Sequence, residues 1–208
     1  MATIAICIPA RGQMEVGTAF DLARMVNHVA RNTEHQVNLY TSMGTLIFDQ
    51  RNNMVESALE EGADYVLFID ADMRFPKDTL ERLLAHGKGI IGVNATTRSS
   101  PVKATAKTLE IEEDGTCNWK QISSKNKTGI ERADGIGCGV MLISKETLSA
   151  IEKPWFFFEL LPDNKLLGED IYFCIKAKDV GIDTYIDHDL SQEIGHVGNY
   201  TYGWHDIR

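Results

Sequence analysis

Short, mainly apolar segments alternate with stretches of helical periodicity along the first half of the chain. Four of these segments are predicted to be strands: 4–8, 37–40, 65–69 and 90–93. The uninterrupted apolar run 66–69 is predicted to be buried on both faces, because a half-solvated strand would alternate apolar and polar residues. Three stretches with helical spacing lie between the four segments: 14–31, 52–61 and 77–86. Gly62 and Gly87 follow the second and third stretch, where glycine commonly ends a helix. This succession predicts parallel strands with helices on both faces of the sheet.

The second half of the chain has shorter and less regular segments. The predicted strands are 102–107, 109–113, 117–121, 140–143 and 182–186, with the E-E-D-G segment 112–115 as a hairpin turn. The predicted helices are 145–151, which Ser144 is suited to cap, and 171–180, which Gly181 would end. A glycine-rich loop at 135–139 leads into the buried strand 140–143. The second half is therefore expected to combine a hairpin with further strands of the sheet.

Length and composition are typical of one soluble, folded domain. The chain has 208 residues, of which 43% are hydrophobic and 25% charged. No segment is apolar for long enough to span a bilayer, and the N-terminus resembles a first strand more than a signal peptide, so a cytoplasmic location is expected. The four cysteines are widely spaced, which favours reduced, buried thiols over a zinc site or a disulfide-rich scaffold.

The charge of the chain is unevenly distributed. The net charge is −9, which argues against nonspecific attraction to nucleic acid. Residues 98–132 carry seven Lys or Arg against five Asp or Glu, a local +2 that leaves −11 on the rest. This segment could face an anionic partner, although a solvated hairpin is the simpler interpretation.

The D-A-D segment formed by Asp70, Ala71 and Asp72 follows directly after the predicted third strand. Two carboxylates one residue apart can hold Mg²⁺ or Mn²⁺ and bridge it to the phosphates of a substrate. The alternative is that both residues serve only as turn or capping groups. In parallel sheets, ligands bind beyond the carboxyl ends of the strands. The other residues expected at that edge are Pro9, Ala10, Arg11 and Thr41.

Six short motifs, taken in order, resemble those of the GT-A fold glycosyltransferases, near the family-two-like branch that includes small viral and phage enzymes. The motifs are I-P-A-R (8–11), Q-R-N (50–52), F-I-D-A-D (68–72), G-I-G-C-G (135–139), G-E-D (168–170) and G-H-V-G (195–198). The resemblance covers nearly the whole chain. It implies an α/β protein with a Rossmann-like, three-layer α/β/α sandwich, a mainly parallel central sheet and a small antiparallel hairpin in the second half. It also implies one domain over 1–208, with a nucleotide-binding half at about 1–94 and an acceptor half at about 95–208.

The resemblance assigns a metal and donor site to specific residues. Asp72 looks like the carboxylate that contacts Mn²⁺ or Mg²⁺, and Asp70 looks like a ligand of the metal or of the nucleotide ribose. His196 resembles a third metal ligand supplied late in the chain, although an ordinary surface or core imidazole is the alternative. Arg51 is expected at the start of a helix, where it could pair with the diphosphate or order the aspartates. Its alternative is a solvated pair with Asp49.

A second group of residues is assigned to catalysis and to the acceptor. In inverting relatives, a carboxylate at the position of Asp170 acts as general base, and Glu169 is the less favoured choice. Both could equally be placed by the helix dipole alone. Asp134 and Gly137 look like residues beside the acceptor. Trp155, from the aromatic segment 154–162, could line a sugar pocket, since aromatic rings pack against the apolar faces of sugars.

The predicted activity is metal-dependent transfer of a hexose or pentose from a nucleoside diphosphate sugar, most simply a UDP-sugar, to a hydroxyl acceptor. One alternative acceptor is a hydroxymethylated DNA base, as in phage-type glycosyltransferases, for which the basic segment 98–132 is the support. Another alternative is a nucleotidyltransferase, but the I-P-A-R-G-Q-M segment lacks the glycine-rich, basic signature expected after the first strand. A non-catalytic domain that binds nucleotide sugars is the third.

Overall fold

The computed structural model describes residues 1–99, 101–111, 117–161, 164–198, 201–204 and 207. The strands are β1 (Thr3–Ala10), β2 (Gln36–Met43), β3 (Tyr65–Ile69), β4 (Met73–Arg74), β5 (Ile90–Gly92), β6 (Lys107–Ile111), β7 (Cys117–Gln121), β8 (Ile130–Ala133), β9 (Val140–Ser144), β10 (Glu159–Leu160), β11 (Leu166–Leu167), β12 (Thr184–Asp187), β13 (Gly195–Val197) and β14 (Thr201–Tyr202). The helices are α1 (Val16–Asn32), α2 (Ile47–Glu60), α3 (Thr79–Ala85), α4 (Lys145–Ala150), α5 (Glu169–Asp179) and α6 (His188–Ser191).

Seven strands form the central sheet in the order β2-β1-β3-β9-β5-β12-β8. Strands β2, β1, β3, β5 and β12 run in one direction, whereas β9 and β8 run in the other. The prediction of a mainly parallel sheet is therefore confirmed. The order of the strands at the centre of the sheet was not predicted. There β9 lies between β3 and β5, although it follows both of them in the chain.

The direction of β9 determines which end of it reaches the carboxyl edge of the parallel strands. Its N-terminal end, with the glycine-rich loop before it, lies beside the C-terminal end of β3, since Val140 pairs with Ile69. The Asp70 amide donates a hydrogen bond to the Gly139 carbonyl oxygen (2.9 Å). The reversed strand thus places the glycine loop next to the D-A-D segment.

Helices cover both faces of the sheet and form two hydrophobic cores, which confirms the three-layer α/β/α sandwich. Alternate residues of β3 enter different cores, with Val66 and Phe68 on the α2, α4 and α5 side and Leu67 and Ile69 on the α1, α3 and α6 side. All four are fully buried. The uninterrupted apolar run in the sequence arises because both faces of β3 are dry.

Most predicted elements of the first half are confirmed. Two predictions are wrong: the start of the second helix, and the strand at 102–107 in the second half. The second helix begins at Ile47, five residues before the predicted start at 52, because it includes the buried polar residues Gln50 and Arg51, which break the apolar spacing. Segment 102–107 is not a strand: Ala104 makes only an isolated bridge with Thr96. Gly62, Gly87 and Gly181 have positive φ angles at the ends of helices, as predicted.

The small antiparallel hairpin of the second half is confirmed by the pairing of β6 with β7. Its predicted E-E-D-G turn at 112–115 lies outside the described residues. Ser144 caps α4 as expected, because its hydroxyl accepts a hydrogen bond from the Thr147 amide (3.2 Å). Three cysteines, Cys7, Cys138 and Cys174, are free and buried. None of the helices in the described part of the chain combines the length and apolar character needed to cross a bilayer.

Gly92 of β5 lies against β9 with no room for a side chain. An added Cβ at this position would lie 2.6 Å from the Val140 carbonyl oxygen and 2.9 Å from the Ile136 side chain. We predict that Gly92→Ala lowers the free energy of unfolding by about 1–3 kcal/mol, because backbone atoms must shift to admit the methyl group. Urea denaturation measures this. Gly44→Ala is the matched control, since its Cβ would make only ordinary contacts at 3.6 Å or more; equal stability of the two variants would contradict the prediction.

Candidate active site

A cleft of about 900 Å³ opens at the carboxyl ends of β1 and β3. Its walls come from the end of β1, the start of α2, the D-A-D segment, the start of α5 and the C-terminal strand β13. The lining residues are Pro9, Ala10, Arg11, Gln13, Glu15, Thr45, Ile47, Gln50, Arg51, Asp70, Ala71, Asp72, Arg98, Glu169, His196, Val197 and Gly198. The sequence-predicted donor and metal residues therefore share one cavity, with the exception of Thr41.

The D-A-D segment forms a turn between β3 and β4. The Met73 amide donates a hydrogen bond to the Asp70 carbonyl oxygen (3.2 Å), which closes the turn. Strand β13 then pairs with β4, and the Val197 amide donates to the Asp72 carbonyl oxygen (2.8 Å). A segment more than a hundred residues away in the sequence is thus fixed against the turn, which places His196 beside Asp72.

Asp72 lies between two cationic side chains. One carboxylate oxygen is 2.6 Å from Nη1 of Arg98, and the other is 3.3 Å from Nε2 of His196. Burial alone favours the protonated carboxyl, but the hydrogen bond and charge of His196 together with the charge of Arg98 lower the pKa of Asp72. Asp72 is therefore an ionised carboxylate at neutral pH.

His196 is oriented by the backbone of Thr96. Nδ1 of the imidazole lies 2.8 Å from the Thr96 carbonyl oxygen, which can only accept, so Nδ1 carries a proton. Burial disfavours a charged imidazole, but the bonds to Asp72 and Thr96 outweigh it and raise the pKa of His196. The same backbone bond leaves Nε2 as the atom directed at Asp72. This is the arrangement by which proteins fix the tautomer of a histidine that binds a metal.

Arg51 is a buried charge in the second turn of α2. Its guanidinium donates to Asp70 (Nη2 to Oδ1, 2.9 Å) and to Glu169 (Nε to Oε1, 3.3 Å). Its central carbon lies 5.0 Å from the centre of the Phe68 ring. Burial opposes the charge, but the carboxylates around Arg51 outweigh this effect and raise its pKa. Arg51 therefore links the end of β3 to the start of α5.

Arg51 lies inside α2 and not at the helix start where it was expected, and the alternative of a solvated pair with Asp49 is wrong. Arg51 is only 2% exposed and is an interior residue of α2. The argument that a cation at a helix start opposes the helix dipole therefore does not apply to it. Its partners are Asp70 and Glu169, and not Asp49. The Nη1 atom is buried and has no hydrogen-bond partner among the described residues.

Asp170 lies beside Glu169 at the start of α5. Its Oδ1 accepts a hydrogen bond from the Ile171 amide (2.8 Å). Burial, with the neighbouring charge of Glu169, raises the pKa of Asp170 to about 6. Gly137 is close to this carboxylate, since a Cβ added there would lie 3.7 Å from Oδ2 of Asp170. The glycine-rich loop therefore lies beside Asp170.

Five sequence-predicted residues are not part of the cleft lining: Thr41, Asp134, Gly137, Trp155 and Asp170. Thr41 lines a separate apolar pocket beside β2, and its hydroxyl donates to the Ile8 carbonyl oxygen (3.1 Å). Trp155 is a core residue, 4% exposed, whose indole N–H donates to the Leu148 carbonyl oxygen (2.8 Å). The expectation that this ring faces a sugar pocket is wrong, because its apolar surface completes the core between α4 and the sheet.

Asp134 is likewise committed to structure. Its carboxylate accepts hydrogen bonds from the Thr108 hydroxyl (2.9 Å), the Leu109 amide (2.8 Å) and Lys178 (2.7 Å). Burial opposes the charge, but these donors lower the pKa of Asp134. The carboxylate joins β6 to α5, away from the residues that line the cleft. This location contradicts its assignment to a sugar pocket.

Two further cleft residues were not assigned a role from the sequence. Arg98 is the one residue of the basic segment 98–132 that lines the described cleft. The residues around it in the sequence do not distinguish it from the other basic residues of that segment. Gln50 falls in the quoted Q-R-N motif. Its side chain accepts from the Ala10 amide (3.1 Å) and donates to the Gly44 carbonyl oxygen (3.0 Å), which fixes the end of β1 against α2.

The donor atoms in the cleft fit a divalent cation that is completed by a ligand. Among the described residues, no three His, Cys, Asp or Glu side chains are close enough to hold a metal alone. Asp72 and His196 form a pair with one carboxylate and one oriented imidazole, while Asp70 is tied to Arg51. Mg²⁺ is commonly held by one or two carboxylates plus substrate phosphates, so two protein ligands are sufficient for such a site.

Comparison with solved structures shows the fold. The chain is similar to the A197 protein from STIV, with 18% identity and a TM-score of 0.61 over 95% of this chain and 86% of that one. It is also similar to GalNAc-T7 solved with UDP, GalNAc and Mn²⁺, with 10% identity and a TM-score of 0.59 over 95% of this chain and 44% of that one. No protein-family model and no curated protein sequence matches the chain.

A third similar structure is the catalytic domain of Drosophila β1,4-galactosyltransferase 7 in complex with xylobiose. The identity is 15% and the TM-score 0.52, over 96% of this chain and 72% of that one. The same enzyme has been solved as a D211N mutant with manganese, UDP-Gal and xylobiose. With the seven-stranded sheet and the three-layer architecture, these similarities identify the fold of the chain as GT-A.

We predict that Asp170 makes stability depend on pH. The folded state holds the Asp170 proton more tightly than the unfolded chain does, so this residue lowers stability as the pH rises from about 4 to its folded pKa of about 6. The free energy of unfolding of Asp170→Asn minus that of wild type should therefore be larger at pH 7.5 than at pH 4.5, by no more than about 3 kcal/mol. Urea denaturation at both pH values measures the gain. Asp49→Asn, exposed on α2, is the control; a constant difference between wild type and Asp170→Asn would contradict the prediction.

Proposed function

We propose that this chain is a glycosyltransferase that moves a sugar from a nucleoside diphosphate sugar to a hydroxyl acceptor with the help of Mn²⁺ or Mg²⁺. The observation that supports it is the convergence of Asp72, His196, Arg51 and Glu169 at one cleft of a GT-A fold. Asp170 is not among the lining residues, but it follows Glu169 directly at the start of α5. The cleft offers a place for a departing diphosphate, and Asp170 lies next to a residue of its wall.

Asp72 and His196 are the residues we assign to the metal. They are already in contact, and Nε2 of His196 becomes a metal-binding atom once it loses its proton. When bound, a divalent cation neutralises the charge that develops on the departing diphosphate. Asp70 is assigned to the metal or to the ribose, because its second oxygen is not taken by Arg51.

The nucleotide is assigned to the end of β1. Pro9, Ala10 and Arg11 line the cleft together with Ala71, and the nucleotide base is assigned to this wall. The buried Nη1 of Arg51 is a further donor for a phosphate or sugar oxygen. UDP is the first nucleotide to test, because GalNAc-T7 and the galactosyltransferase were solved with UDP or UDP-Gal.

Asp170 is the residue we assign as general base. Its pKa of about 6 leaves it ionised at neutral pH, and makes it a stronger base than an ordinary carboxylate. It would take the proton of the acceptor hydroxyl as that oxygen attacks the anomeric carbon and the bond to the diphosphate breaks. Glu169 suits this role less well, because one of its oxygens accepts from Arg51. Gly137 places no side chain beside Asp170, and a role next to the acceptor stays a prediction.

The alternatives differ in acceptor or in chemistry. A hydroxymethylated DNA base stays a prediction, because of the basic segment 98–132 only Arg98 lines the described cleft. A nucleotidyltransferase would release pyrophosphate from a nucleoside triphosphate. A non-catalytic domain would bind the nucleotide sugar without turnover. Each of these outcomes can be read in the same assays as the proposed function.

We predict that one class of nucleotide sugar raises the melting temperature of the protein only when Mn²⁺ is present, since a ligand that binds the native state stabilises it. UDP-, GDP-, CDP- and ADP-sugars are screened by thermal shift and by slow donor hydrolysis. Asp72→Asn should lose the Mn²⁺-dependent shift while keeping its own melting temperature within a few degrees. Asp49→Asn should behave as wild type. A shift without Mn²⁺, or an unaffected Asp72→Asn variant, would contradict the assigned metal site.

We predict that Asp170→Asn separates transfer from donor binding. Loss of the base should lower kcat by about 100- to 10,000-fold, while the Kd for the nucleotide sugar with Mn²⁺ changes less than about threefold. Glu169→Gln should lower kcat less and weaken donor binding more, because it disturbs Arg51 and therefore Asp70. Transfer assays and calorimetric titrations measure both. Full activity of Asp170→Asn would exclude it as the base.

A further inference from the structure

Arg98 forms an ion pair with Asp72, the carboxylate that we assign to the metal. Its Nη1 lies 2.6 Å from Oδ2 of Asp72 and 3.4 Å from the Val197 carbonyl oxygen. Together with His196, it surrounds a single carboxylate with two cationic groups. A divalent cation placed on Asp72 would then lie within a few ångströms of the guanidinium, and like charges at such a distance repel strongly. Arg98 and the cation therefore compete for Asp72.

The side chain of Arg98 is half exposed to solvent, whereas the backbone beside it is held by hydrogen bonds. The preceding residue is fixed by bonds from the Thr97 amide to the Lys103 carbonyl oxygen (2.8 Å) and from the Lys103 amide to the Thr97 hydroxyl (3.0 Å). The Arg98 side chain itself is 49% exposed. Arg51 is the opposite case, since its side chain is 3% exposed and held by two carboxylates. Of the two arginines beside the D-A-D segment, only Arg98 can leave its partner at little cost.

We propose that Arg98 is an exchangeable counter-ion: it pairs with Asp72 while the cleft is empty, and it moves onto the diphosphate when a divalent cation takes its place. This inference rests on the proposed function, because it needs a cation and a diphosphate in the same cleft. An arginine fork suits phosphate oxygens as well as it suits a carboxylate. The exchange keeps every charge paired at each stage.

The exchange makes metal binding depend on the nucleotide. Without nucleotide, the cation must break the ion pair and leave Arg98 without an anion. With nucleotide, the phosphates accept Arg98, and the cost of breaking the pair falls. Metal and nucleotide then strengthen each other's binding by the same factor, as thermodynamic linkage requires. Arg98 would thus prevent the protein from holding the metal firmly before a donor arrives.

The test is a set of Mn²⁺ titrations, followed by electron paramagnetic resonance, with and without the nucleoside diphosphate found in the screen, UDP first. Without nucleotide, Arg98→Gln should bind Mn²⁺ about three- to tenfold more tightly than wild type, because its competitor is gone. With Mn²⁺, the same variant should bind the nucleoside diphosphate about tenfold more weakly, because a charged donor is lost. The enhancement of Mn²⁺ binding by nucleotide should fall by about tenfold.

Arg132→Gln is the matched control. Arg132 is also about half exposed and also makes an ion pair of 2.6 Å, with Asp183, but it lies on the edge strand β8. It should leave both affinities unchanged. The two opposite changes separate exchange from a merely structural role, in which Arg98→Gln would lower the melting temperature and leave nucleotide-free Mn²⁺ binding as it was.

Unchanged or weaker nucleotide-free Mn²⁺ binding by Arg98→Gln would overturn the proposal. So would unchanged nucleotide binding in the presence of Mn²⁺. If wild type binds no nucleoside diphosphate at all, the proposed function fails and the exchange fails with it. Failure of the proposed function can be told apart from failure of the exchange alone, because the nucleotide-free titration still shows whether Arg98 competes with a cation for Asp72.

Discussion

The burial of one positive charge, that of Arg51, determines how the two sides of the cleft are joined. Its side chain is almost completely removed from water, so the carboxylates of Asp70 and Glu169 must stay within bonding distance. Losing one partner of a buried ion pair typically costs about 3–5 kcal/mol, which gives the two elements little freedom to separate. The end of β3 and the start of α5 are therefore held in one geometry by Arg51.

The reversed strand β9 is the second constraint on that geometry. Because it runs against its neighbours, the loop before it lies at the same edge as the ends of the parallel strands. The Asp70 amide donates to the Gly139 carbonyl oxygen there, and Gly137 of the same loop lies beside Asp170. A parallel strand in this place would have put the loop at the opposite edge of the sheet. The antiparallel insertion is thus part of how the cleft is built.

The features that could be predicted from the sequence are those that depend on neighbouring residues in the chain. Burial of β3 on both faces produces an apolar run, and positive φ angles favour Gly62, Gly87 and Gly181, so these features were predictable. The start of α2 was not, because Arg51 is stabilised by partners 19 and 118 residues away. The same holds for Arg98, whose contact with Asp72 depends on how a loop folds back. Trp155 was misplaced because an aromatic run looks alike whether it lines a pocket or fills a core.

The charge balance of the cleft explains why a cation would be needed there. The acidic lining residues are Glu15, Asp70, Asp72 and Glu169, and the basic ones are Arg11, Arg51, Arg98 and His196 when protonated. The empty cleft is therefore close to neutral, within a chain of net charge −9. A nucleoside diphosphate adds two or more negative charges to a partly enclosed site, where unpaired charge is costly. Arg98 is already paired with Asp72, so it can serve the phosphates only if another cation takes over that carboxylate. In the proposed function, a divalent ion on Asp72 would do this and would bring the charge that the diphosphate requires.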